Sequence, residues 1–305
     1  RARSALAQAH LSAGEVEAAK AQVTALRELA PNNPQTEFLA GAVAYAEERI
    51  AQAEDHLLKV LRFSPDHAPS QLLMGSIKAG QGGLEQAEDY LRRYLERIPG
   101  NRAARKLLGS VLLRRDRPEA ALEVLDRAGE VQDPQYLSML GTAHLRAGNR
   151  EQAAQYFQQA ATQAPEDTRI RTQLAVSRLA TGAAEEAAND LEQALGADDA
   201  SIQTDILLVL ARIRQGDLDK ALEAARNMTG RHGESPVAHN MVGAVQLARG
   251  EKAEARESFH LALEQEPGFV PARLNLARMH LGQGDTGKAR KVLEEGREHR
   301  PDHPD

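Results

Sequence analysis

The residues best suited to chemistry in this chain are its ten histidines, and their spacing argues against a reaction. A hydrolytic zinc centre needs two imidazoles one helical turn apart with a carboxylate beside them, and no His-Glu-x-x-His run supplies that. His299 and His303 are four residues apart but flank Pro301, which a helix interior does not tolerate. Gly80-Gln81-Gly82-Gly83 has the glycine content of a phosphate-cradling loop, but no Lys-Ser or Lys-Thr follows it and no strand precedes it. With no cysteine, thiolate nucleophiles, disulfides and cysteine zinc sites are all removed. Charged runs such as Arg114-Arg115-Asp116-Arg117 read as solvated helix ends. The sequence therefore assigns no catalytic residue, no metal site and no cofactor, and what remains is binding.

Composition narrows the kind of binding. Of 305 residues 42% are hydrophobic, 27% charged and only 3% aromatic, with no Trp. That profile fits an Ala- and Leu-rich helical protein and lacks the β-branched and aromatic content of a sandwich. A formal net charge of −6 excludes a broad basic surface for nucleic acid. No apolar run reaches the roughly 18 residues of a membrane-spanning helix. The chain opens Arg-Ala-Arg without Met, so it reads as a segment of a longer protein whose leader or anchor, if any, lies outside it.

The elements that must position any binding residues repeat. Gly14, Glu48, Gly82, Asp116, Gly148, Gly182, Gly216, Gly250 and Gly284 follow one another at intervals of 34, 34, 34, 32, 34, 34, 34 and 34. Seven of the nine are Gly, the residue that closes a helix in the left-handed region at least steric cost. Seven residues upstream lies a mostly small residue: Ala7, Gly41, Gly75, Gly109, Gly141, Ala175, Val209, Gly243 and Ala277. Five residues downstream lies Ala every time, from Ala19 to Ala289. Small residues at both places let two antiparallel helices approach closely. Pro31, Pro65, Pro99, Pro165, Pro267 and Pro301 then stop the second helix of six repeats.

This pattern resembles the tetratricopeptide repeat over the whole chain. The resemblance implies an all-α, right-handed superhelix of about nine helix-turn-helix units, a single continuous solenoid over 1–305. Its repeats run 1–33, 34–67, 68–101, 102–133, 134–167, 168–201, 202–235, 236–269 and 270–303. The family's Trp is missing, and its Tyr three residues after the small residue is replaced by His10, His144 and His280, which read as partly packed between helices. Two irregularities stand out. The fourth repeat is two residues short near Ala128–Pro134, and the seventh ends late through Met228–Pro236.

In that family the first helices line a concave surface. The position four after the small residue gives an aliphatic stripe that includes Leu145, Leu179, Ile213 and Leu247. The first helix of the seventh repeat, Ser201-Ile-Gln-Thr-Asp-Ile-Leu-Leu-Val-Leu-Ala-Arg-Ile-Arg-Gln, is apolar nearly all round and should be buried or bind something. The candidate partner-binding residues are Ile206, Leu210 and Ile213 within it, the stripe members Leu145, Leu179 and Leu247, and groove-margin Arg146, Arg214 and Asn240. Extra core packing is the alternative for the aliphatic members. The pairs three before and one after the small residue never supply the Lys-Asn-Arg set with which some members clamp chaperone tails.

Residues 168–296, through Asp205-Ile-Leu-Leu-Val-Leu, Ser235-Pro-Val-Ala-His-Asn and Phe269-Val-Pro-Ala-Arg-Leu-Asn, look like the repeat lipoproteins of the bacterial PEP-CTERM/exosortase system. That resemblance implies a role in exopolysaccharide production and protein sorting at the envelope, with a lipid-anchored N-terminus, although no lipobox Cys is present. The expected function is a non-catalytic scaffold that holds a protein or peptide in its concave groove. A polysaccharide-binding module, for which Phe38 and Tyr45 are the one aromatic pair, and a generic cytosolic adaptor are the alternatives.

Overall fold

A computed structural model of the protein describes residues 1–30, 33–129, 131–196 and 201–299. Pro31, Pro301 and His303 lie outside the described residues, as does Glu130 in the short repeat. The described residues form eighteen α-helices and one short 3-10 turn, with no strand among them. This is the expected all-α series of helix-turn-helix repeats. They divide into two compact units, Arg1–Asn149 and Arg150–Asp305. The first contains α1 (Ala2–Ser12), α2 (Val16–Leu29), α3 (Pro34–Ala46), α4 (Ile50–Phe63), α5 (Ala68–Gly80), α6 (Leu84–Arg97), α7 (Arg102–Arg114), α8 (Pro118–Leu125) and α9 (Pro134–Arg146). The second contains α10 (Arg150–Gln163), α11 (Thr168–Thr181), α12 (Ala184–Leu195), α13 (Ile202–Gln215), α14 (Leu218–Arg231), α15 (Pro236–Ala248), α16 (Lys252–Gln265), α17 (Val270–Gly282) and α18 (Thr286–His299).

The turn series behaves as its composition requires. All nine residues have positive φ, from +56° at Asp116 and +59° at Glu48 to +88° at Gly182. The two non-glycines thus occupy a conformation that costs an L-residue about 1–2 kcal/mol. In four repeats the glycine at the small position meets a large residue sixteen positions later. A Cβ placed on Gly41, Gly75, Gly109 or Gly243 would lie 3.2, 2.7, 2.7 or 2.6 Å from Leu57, Leu91, Leu125 or Phe259. The alanines five residues after each turn are all buried, from Ala19 to Ala289. These four hairpins therefore close on a small-large contact.

One recurring device escaped the sequence reading. Four residues before the small position, a side chain reaches back six residues to a main-chain carbonyl. Gln71 Nε2 donates to Pro65 O at 2.8 Å, Arg105 Nε to Pro99 O at 2.9 Å, Arg171 Nε to Pro165 O at 2.5 Å and Arg273 Nε to Pro267 O at 2.8 Å. Arg105 and Arg273 also donate to carbonyls of the following helix, Val124 O and Val292 O. Where the position is acidic, the later helix supplies the base. Glu37 pairs with His56 at 2.7 Å, and buried Asp205 pairs with Arg231 and with His232 at 3.1 Å.

The two irregular repeats differ in kind. The shortening of the fourth falls on α8, which has 8 residues where α6 has 14. Its last carbonyls are caught by neighbours: Arg105 Nη1 donates to Val124 O at 3.0 Å and the Tyr136 hydroxyl to Leu125 O at 2.8 Å. Burial pushes the Tyr136 phenol up to about 12, so it stays a donor. The seventh repeat does not end late. Its α14 stops at Arg231, 34 residues before α16 stops at Gln265, so only the closing proline is missing.

Candidate functional site

Within the second unit, α11 and α13 flank an open groove of about 1000 Å³. Its apolar lining comes from Val176, Leu179 and Ala180 on α11 and from Leu207, Leu210 and Ile213 on α13. Arg150, Thr181 and Arg214 add polar groups, and no Asp or Glu is among its lining residues. The apolar character of α13 is thereby divided. Leu208 and Val209 are buried in the core with Ala187, Leu191 and Val242, while Leu207 and Ile213 pack partly against it. Leu210 is 42% exposed. Residues 207, 210 and 214 follow the helical spacing that puts side chains on one face.

The structure brings together Leu179, Leu210, Ile213 and Arg214 of the expected residues. It does not place Ile206 in the groove lining, because the groove-facing edge of α13 is centred one residue on, at Leu207. Asn240 is buried on α15, and its Oδ1 accepts from Asn275 Nδ2 at 3.0 Å. Leu247 packs partly against the cluster of Phe259, Leu276 and Met279. Leu145 and Arg146 lie on α9 of the first unit, Leu145 half-buried and Arg146 exposed. Sequence reasoning missed Arg150 and Val176 and named Leu207 only as part of an apolar helix. Arg150 starts α10, and no spacing within a single helix could have pointed to it.

The groove-margin arginines have a structural task. Arg114 Nη1 donates to Ala79 O at 2.8 Å, Arg146 Nη1 to Leu113 O at 2.7 Å and Arg214 Nη1 to Leu179 O at 3.1 Å. Each sits five residues after its small residue and binds the carbonyl four after the small residue of the preceding repeat. These carbonyls belong to helix C-terminal turns, where main-chain acceptors lack intrahelical partners and positive charge is favoured. Arg150 Nη1 adds a long contact to the adjacent Ala180 O, at 3.4 Å.

Other expected groups are committed to the fold. His10, His144 and His280 are half-buried, as expected. His10 Nδ1 meets Glu15 Oε2 at 2.5 Å, His144 lies 3.4 Å from Asn149, and burial lowers the His144 pKa. Phe38 packs edge-on against His67 with ring centroids 5.2 Å apart, so it is not an open stacking platform beside Tyr45. Among the described residues no cluster of three or more His, Asp or Glu could hold a metal ion, and no helix is long and apolar enough to cross a membrane.

A family model for the tetratricopeptide repeat matches residues 4–68, 72–135, 138–202 and 206–268, and a second for the same repeat matches 246–305. Comparison with curated protein sequences gives no match. Among solved structures, the chain is similar to the C-terminal part of a TPR repeat-containing protein from Cytophaga hutchinsonii, at 11% identity and a TM-score of 0.61. That match covers 76% of this chain and 96% of the other. Similarity to pilF of Pseudomonas aeruginosa has 16% identity and a TM-score of 0.54, over 70% and 97% of the two chains. The Cut9–Hcn1 hetero-tetramer of the APC/C gives 17% and 0.50, over 90% of this chain and 52% of that one. At these identities the likeness is one of fold.

Proposed function

Because the chain belongs to the tetratricopeptide-repeat family, we propose that it is a non-catalytic scaffold that holds a segment of a partner protein in the α11–α13 groove. The observation that carries this reading is Leu210, a large aliphatic side chain left 42% exposed beside Leu207 and Ile213 in a concave lining. Apolar surface of this kind, bounded by polar groups, is what a protein interface buries. The setting we propose is the bacterial envelope, in an exopolysaccharide or protein-sorting assembly. Its support is the likeness of residues 168–296 to the PEP-CTERM repeat lipoproteins.

A cross-linking capture from the envelope fraction of the source bacterium tests the scaffold, comparing the native chain with Leu207→Asp/Leu210→Asp after circular dichroism shows that both fold. A discrete protein held by the first and lost with the second is the expected result. Capture of the same proteins by both would remove the groove from the function. Recovery of the native gene product from the soluble cytoplasmic fraction alone would remove the envelope setting.

A further inference from the structure

The two guanidinium groups of the α11–α13 groove differ from several arginines of the same unit. Arg178, Arg212 and Arg249, in the same unit, each pair with a carboxylate. Arg150 and Arg214 make no ion pair among the described residues. Each has a main-chain carbonyl of α11 as its hydrogen-bonded partner, Ala180 O and Leu179 O. A guanidinium carries five N–H donors, so each retains donors beyond the one so used. Both line the same groove, whose lining has no Asp or Glu, in a chain of net charge −6. The C-terminus of α11 opposes them with about half a unit of negative charge. Arg150 and Arg214 supply the only charged side chains of a lining whose floor is aliphatic.

Resting on the scaffold reading, we propose that the occupant is an internal, extended segment of a partner protein in which an Asp or Glu side chain neighbours Leu, Ile or Val. The aliphatic side chains lie on Leu207, Leu210 and Val176, and the carboxylate takes the free donors of Arg150 and Arg214. Charge complementarity selects the carboxylate, since an Arg fork binds that group with two parallel hydrogen bonds. The open form of the groove selects a peptide over a simple acyl chain. Leu210 is 42% exposed, and a bare alkyl chain lying there would keep one side in water. A peptide turns its polar backbone to that side.

The test is selection from a random peptide library displayed inside a phage coat-protein loop, so that no free carboxyl terminus is presented. Native chain, Arg150→Gln, Arg214→Gln, Arg214→Glu and Leu210→Asp are used as baits, each checked for native helicity. The native pool should be enriched in Asp or Glu next to aliphatic residues. A synthetic peptide from that pool should bind Arg214→Gln about tenfold more weakly, the loss of a charge-assisted bond. Arg150→Gln, which replaces an exposed side chain at the start of α10, should weaken it likewise, and Arg214→Glu should redirect selection toward Lys and Arg.

A pool that depends on Leu210 but shows no acidic enrichment, or keeps its acids on both Gln variants, overturns this inference and leaves the scaffold standing. Absence of any pool that is lost on Leu210→Asp overturns the scaffold reading as well. Competitive displacement of the peptide by pyrene-labelled dodecanoate, with the same arginine dependence, would make the occupant an acyl carboxylate and overturn the peptide assignment.

Discussion

Arg114 and Arg146 in the first unit and Arg214 in the second occupy one position of the repeat and make one bond, to the last turn of the preceding first helix. Their surroundings differ. The carbonyls themselves do not differ, since Ala79, Leu113 and Leu179 are all buried. In the second unit, Arg214 stands beside Leu207, exposed Leu210 and a second guanidinium from Arg150. The repeat position fixes the arginine's structural task, while residues free to vary around it turn the same pin into a candidate site. Function in such a protein is written at the positions where the repeat makes no demand.

That division can be strained from the structural side first. Gly75→Ala in the first unit and Gly243→Ala in the second drive a methyl into Leu91 and Phe259, at 2.7 and 2.6 Å. Each should cost about 1–3 kcal/mol of stability by denaturant unfolding, the usual effect of overpacking a closed contact. Equal losses in both units would show one packing rule throughout. A neutral result at either would mean that its hairpin has slack. Next in size, Glu48→Gly and Asp116→Gly should each raise stability by about 1 kcal/mol by releasing a strained left-handed residue. Gly216→Ala at the equivalent turn should lower it, and all three are read as midpoint shifts.

Two buried carboxylates sharpen the comparison through pH. Burial raises the pKa of Glu88, but Arg92 at 2.8 Å, Arg117 at 3.0 Å and Arg115 at 2.5 Å outweigh it and hold the carboxyl below its ordinary value of 4.5. Its ionised form therefore stabilises the fold above that value, and the contribution is lost as pH falls from there through the lowered pKa of the folded state. Asp190 has the opposite balance. Burial dominates over its contact with Arg178 at 2.6 Å and raises its pKa above 3.8, so falling pH relieves a cost. Glu88→Gln should thus be less stable than the native protein near neutrality, with the gap closing as pH falls below 4.5. Asp190→Asn should be no less stable near neutrality. Parallel pH profiles for the two variants would contradict this assignment. Smallest of all, Leu210→Ser should change stability by less than about 0.5 kcal/mol, because the side chain is a surface one. A larger loss in thermal unfolding would identify Leu210 as core.

Much of the fold was legible because the repeat's demands are steric and local. A helix-closing glycine, a small residue opposite a large one and a buried alanine are required by backbone geometry, and they recur visibly at Gly82, Gly75 and Ala87. The site was legible only in part. The apolar excess of α13 pointed to Leu210 and Ile213, but a stripe drawn at fixed repeat offsets placed the edge of the face at Ile206 instead of Leu207. Arg150 reaches the groove from a different helix, so its role depends on three-dimensional packing that no single-helix period encodes. The carbonyl clasps at Gln71, Arg105, Arg171 and Arg273 were hidden for another reason. Different side chains, Gln and Arg, do the same job, and the acids Glu37 and Asp205 fill the same position with inverted chemistry.

The most direct test of the central claim is one affinity series. Arg114→Gln, Arg146→Gln and Arg214→Gln are compared with the native chain for binding of a peptide selected on it, with stability measured for each. All three should lose similar stability, about 1 kcal/mol for a hydrogen bond, while only Arg214→Gln loses affinity. Equal affinity losses in all three, or none in any, would show that the α11–α13 groove is ordinary repeat packing.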